Sequence, residues 1–100
     1  MTKPKWLTCP DDLGEHARRY WNHYANGLRA AGHLTPESLE SFRFLTQLLA
    51  TAQAAAEAIE RDGAVIRGSS GAVRANPACG IQIAAQREAA KLLRSFGLES

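Results

Sequence analysis

The sequence predicts a mainly α protein: three helices, with one β-hairpin between the second and the third. Two observations carry that reading. Apolar residues recur every three or four positions through three long stretches, the period of a helix with one buried face. Between the second and third stretches the run Asp62–Pro77 breaks that period. There, Val65–Ile66 and Ala72–Val73 flank Gly68-Ser69-Ser70-Gly71, with Gly63 before them and Asn76-Pro77 after. Short apolar runs bounded by turn residues read as a hairpin.

One hundred residues make one domain, divided here into an arm over residues 1–10 and a helical domain over 11–100. A chain of this size buries roughly two thirds of its unfolded surface and needs no staples. No apolar run is long enough to span a membrane, and Met1–Leu7 lacks the apolar segment of a signal peptide. The two cysteines, Cys9 and Cys79, read as reduced thiols. With His16, His23 and His33 they form no metal-ligand spacing. The net charge of +2, with nine arginines and three lysines, does not by itself define a partner.

In the arm, Trp6 and Leu7 offer an apolar patch that docks on the core edge. The first helix is expected to start near Asp11–Asp12, where acids suit the positive end of the helix dipole. Leu13, Ala17, Tyr20, Trp21, Tyr24, Leu28 and Ala31 share one face. Glu15, Arg18, Arg19, Asn22, Asn26 and Arg29 share the other, and Gly32 closes the helix.

The second helix has Thr35 as cap and Pro36 in its first position, and runs to about Arg61. Phe42, Leu45, Leu49, Ala52, Ala56 and Ile59 make a seam, broadened by Leu39 and Leu48. Its second half carries Ala50, Ala52, Ala54, Ala55, Ala56 and Ala58, nearly all round the helix. A helix apolar on most sides is normally buried by more than one neighbour, which points to an oligomer.

In the hairpin, a Gly68–Gly71 loop sets Ile66 opposite Val73 and Ala64 opposite Ala75. Arg67 and Arg74 then fall together on the outward face, a pair suited to an anion or acid partner or to plain solvation of the ribbon. Gly68-Ser69-Ser70-Gly71 lacks the spacing of a phosphate loop and is not followed directly by a helix, so no nucleotide cofactor is expected. The third helix starts at Asn76-Pro77. Ile81, Ala85, Ala89, Leu92 and Phe96 line one face, and Arg87, Lys91 and Arg94 the other. Gly97-Leu98 reads as a Schellman ending. No catalytic motif stands out; the chain is expected to be no enzyme, with no metal, no cofactor and no small-molecule substrate.

Taken in order, Leu13, Trp21, Leu28, Ala31-Gly32-His33-Leu34-Thr35, Leu39 and Phe42 are followed by the alanine-rich helix. Then come Gly63-Ala64-Val65, Gly71, Asn76-Pro77, Leu92–Leu93 and Phe96-Gly97-Leu98. This series resembles the small subunit of phage terminases, in a short branch without an N-terminal helix-turn-helix domain. The resemblance implies a non-catalytic ring that binds double-stranded viral DNA in the cytoplasm of the bacterial host. It also implies a large ATPase and nuclease subunit as partner in genome packaging. Family members usually continue past the Gly-Leu motif with a basic tail, whereas this sequence stops at Glu99-Ser100. On this reading the DNA contacts are Arg67 and Arg74 first, then Arg18, Arg19 and Arg29. The alternative is a helical oligomeric adaptor or activator that works through protein partners without touching DNA.

Overall fold

The computed structural model describes residues 4–98. The chain forms three helices, α1 (Glu15–Ala30), α2 (Leu39–Asp62) and α3 (Pro77–Ser95), with a two-stranded antiparallel sheet of β1 (Val65–Arg67) and β2 (Val73–Ala75) between the second and the third. The three-helix and hairpin reading holds. The body is long, 57 × 25 × 18 Å, with a radius of gyration of 16.5 Å; a compact chain of this length would have about 13 Å.

The elongation follows from where the large side chains lie. Trp21 and Phe42 are fully buried with ring centroids 4.7 Å apart, and Phe42 meets Phe96 edge-on at 6.0 Å. Leu7, Leu13, Leu28, Leu34 and Leu45 complete this cluster. The Trp21 Nε1–H, which burial would otherwise leave unpaired, donates to the Leu7 carbonyl at 3.0 Å. All of this sits where α2 begins and α3 ends. Toward the hairpin, the buried residues of α2 and α3 shrink to Ala52, Ala55, Ala78 and Ala85. Alanine lets the two backbones lie close, so α2 and α3 project from the core as a thin antiparallel arm with the hairpin at its tip.

The first helix begins later than its acids suggest. Gly14 is the extended cap residue, and Arg18 N–H makes the first helical bond, to the Gly14 carbonyl. Asp11 and Asp12 lie in a preceding turn instead. The Arg18 guanidinium donates to the Pro10 and Asp11 carbonyls at 3.4 and 3.2 Å. Asp12 accepts from Arg43 on α2 at 2.6 Å. A partner 31 residues away holds Asp12 in this turn.

Thr35 does cap the second helical segment, by a reciprocal box with Ser38 around a single 3-10 turn, Pro36–Ser38, that feeds into α2. The seam of α2 is double. Thr46 and Ala55 are buried beside Phe42, Leu45 and Ala52, because α2 packs against both α1 and α3. On α3, Ala85, Ala89 and Phe96 face inward as expected, but Ile81 is half exposed, at 51%. Ala78 takes the inward position there instead.

Helices α1 and α3 close alike. Leu98 N–H reaches back to the Leu93 carbonyl at 2.7 Å, and His33 N–H to the Leu28 carbonyl at 2.8 Å, each across a glycine with φ +79°. These are Schellman endings. They meet: a Cβ on Gly97 would lie 3.1 Å from the His33 ring.

Candidate nucleic-acid interface

The hairpin is fastened by Asn76, 7% exposed. Its Oδ1 accepts from Ala78 N–H at 3.0 Å and so caps α3. Its Nδ2 donates to the Gly63 carbonyl at the end of α2 at 2.9 Å, and its backbone N–H donates to the Ala64 carbonyl at 2.9 Å. One side chain thereby joins the end of one arm helix to the start of the other.

The register differs from the sequence expectation by one residue. Val65 pairs with Ala75, Ile66 with Arg74 and Arg67 with Val73. Gly71 takes φ +84°, a left-handed residue of the kind that inserts a bulge. Gly71 N–H bonds Gly68 O at 3.0 Å and Gly68 N–H bonds Ala72 O at 2.8 Å, so the loop is Gly68–Ala72. A slip of one residue moves side chains to opposite faces. Arg67 therefore shares a face with Val65, Val73 and Ala75, while Arg74 lies on the other face with Ile66. The two arginines are not a pair. The Arg67 guanidinium instead reaches the Gly71 carbonyl at 3.4 Å, and Arg74 is exposed. Val65 and Val73 are 59% and 61% exposed, so the Arg67 face is an apolar ribbon open to solvent.

The first-helix arginines are largely engaged within the chain. Arg18 stitches the preceding turn, as above. Arg19 pairs with Glu15 at 3.5 Å. Arg29 is half-buried, with its Nε out of solvent and unpartnered. A groove of roughly 340 Å³ is lined by His16, Arg19, Tyr20, His23, Tyr24 and Gln53. His16 Nε2 lies 3.0 Å from Glu57 Oε1 at its edge. Hydrogen bonds from Gln53 and then His16 hold the Glu57 carboxyl below its usual range. With Glu15 and Glu57 beside it, this groove carries no cationic excess for an anion to meet.

The five sequence-selected arginines thus do not converge. The third-helix stripe does hold: Arg87, Lys91 and Arg94 are all exposed along the outward side of α3. Among the described residues no group of three or more His, Cys, Asp and Glu is placed to hold a metal, and no helix is long and apolar enough to cross a membrane. Both cysteines are free thiols.

Set beside known proteins, residues 17–100 match a family profile described as phage terminase, small subunit. No curated protein and no solved structure shows a match.

Proposed function

The chain belongs to the phage terminase small subunit family, and from that membership we propose that it is a non-catalytic ring-forming subunit that binds double-stranded viral DNA. In this role it regulates the large ATPase and nuclease subunit during genome packaging in the bacterial host cytoplasm. Support for the ring comes from the arm. Ile81 and Ile83, 51% and 56% exposed, are two positions apart on α3 and so point about 200° from each other. A single neighbour covers only one of these flanks. Head-to-tail packing of identical copies covers both with one repeated contact, and closes into a ring when the rotation is right. The open valine face of the hairpin and the alanine-rich length of α2 add apolar surface to the same arm.

The apolar residues on two flanks of the arm are the observation that carries the ring. Multi-angle light scattering and native mass spectrometry test it. A closed oligomer is the expected result, and Ile81→Asp/Ile83→Asp should dissociate it while helical content is kept. A wild-type monomer at tens of micromolar overturns the ring.

The second reading, an adaptor that never touches DNA, draws support from Arg18 and Arg19 being occupied within the chain. Mobility of duplex DNA across a salt series separates the two. Binding through phosphate contacts weakens steeply with salt, whereas an adaptor leaves the DNA unshifted at every salt concentration.

A further inference from the structure

We infer that the phosphate-contacting surface of this protein is the outward face of α3, formed by Arg87, Lys91 and Arg94, and not the hairpin. The inference rests on the DNA-binding reading above and assigns it a site. Arg87 and Lys91 are four apart and Lys91 and Arg94 three apart, so the three stack along one side of the helix. Arg94 lies seven positions beyond Arg87, about 10.5 Å of helix. That length spans the axial rise of about three phosphates on one strand of a duplex, at about 3.4 Å each.

Availability separates this stripe from the cations already held in ion pairs. Among the described residues, neither Arg87 nor Arg94 has a carboxylate within ion-pair distance. Only Lys91 is paired, to Glu88 at 3.2 Å, with both side chains more than half exposed. Among the described residues the excess on this face is thus two positive charges. Elsewhere, Arg43 is spent on Asp12, Arg61 on Asp62 and Arg19 on Glu15. Arg67 and Arg74 cannot face one phosphate backbone together, because the register puts them on opposite faces. Stabilisation by the helix dipole explains Arg94, in the last turn of α3; it does not explain Arg87, two turns earlier, since the effect fades within one turn.

The stripe lies beyond Ile83 toward the core end, so DNA contact and arm packing occupy different lengths of α3. In a ring the stripe repeats once per copy, and its contacts combine through multivalency.

The test is fluorescence anisotropy of a labelled duplex over a salt series. It compares wild type with Arg87→Ala/Arg94→Ala, Arg87→Gln/Arg94→Gln and Arg67→Ala/Arg74→Ala. Circular dichroism and light scattering confirm that each variant keeps its fold and assembly. Each lost phosphate contact lowers the log–log salt slope by about 0.9. Both α3 variants should therefore lose about 1.8 in slope per contacting subunit, or about thirty-fold in affinity at 0.15 M salt when extrapolated from 1 M. The hairpin variant should keep the wild-type slope. Steep wild-type binding that the α3 variants leave unchanged overturns this assignment and spares the DNA reading. A wild type that fails to bind the duplex removes the DNA reading and this site with it. Competition by polyglutamate as effective as unlabelled duplex at equal charge overturns the assignment in favour of an acidic protein partner.

Discussion

Replacing Asn76 by alanine should cost this protein more than any other single polar truncation at the arm tip. The side chain holds two backbone groups that have no alternative partner. Losing the Oδ1 acceptor frees Ala78 N–H at the start of α3, and loss of such a cap costs about 1 kcal/mol. Losing the Nδ2 donor strips the Gly63 carbonyl of its bond. Leaving a part-buried acceptor unpaired costs about 1–2 kcal/mol more. The sum is about 2–3 kcal/mol, which lowers the melting midpoint by on the order of 10–20 °C for a domain of this size. Asn76→Ser separates the two parts. Serine caps as well as asparagine and is too short to reach Gly63, so it should recover about 1 kcal/mol. The assay is thermal and urea unfolding followed by circular dichroism, at one fixed protein concentration because assembly adds to apparent stability. An Asn76→Ala variant within about 0.5 kcal/mol of wild type, the usual range of surface changes, would refute the argument, as would a serine variant no better than alanine.

Gly97→Ala should destabilise by about 1–2 kcal/mol, since a left-handed L-residue costs about that and the new Cβ meets the His33 ring at 3.1 Å. Introducing the same change in a His33→Ala background should cost less, because only the backbone strain remains; a double-mutant cycle with no coupling would contradict the packing of the two helix ends. The Arg43 hydrogen bond holds the Asp12 carboxyl below its usual range. Its contribution is therefore present above the ordinary aspartate value of 3.8 and is lost as pH falls through the depressed value. Asp12→Asn should accordingly melt below wild type at neutral pH, with the gap closing in acid; a gap that stays constant down to pH 2.5 would show that the pair contributes no pH dependence.

Helix-end signals that act through near neighbours are legible in the sequence; signals that depend on distant partners, or on the backbone conformation of one turn glycine, are not. Thr35, Asn76-Pro77 and Gly97-Leu98 act through neighbours within a few residues, so the ends they govern lie where the sequence puts them. Asp12 looked like a helix-start acid because its partner, Arg43, lies on another helix. The hairpin lies where the sequence puts it, but β2 is turned over relative to β1, because a single left-handed Gly71 lengthens the loop by one residue. That one residue alone separates Arg67 from Arg74. Ile81 fits the inward stripe of α3 by period, and fails there because the neighbouring stretch of α2 is alanine and Ala78 fills the contact.

The restriction of bulky packing to one end of a 57 Å body makes the arm a lever. Its 24-residue α2 is about 36 Å long. A 10° tilt where Phe42 meets Phe96 carries the Gly68–Ala72 loop by about 6 Å over that length, roughly the length of a side chain. A small change in packing within the Trp21, Phe42 and Phe96 cluster is therefore enlarged at the hairpin.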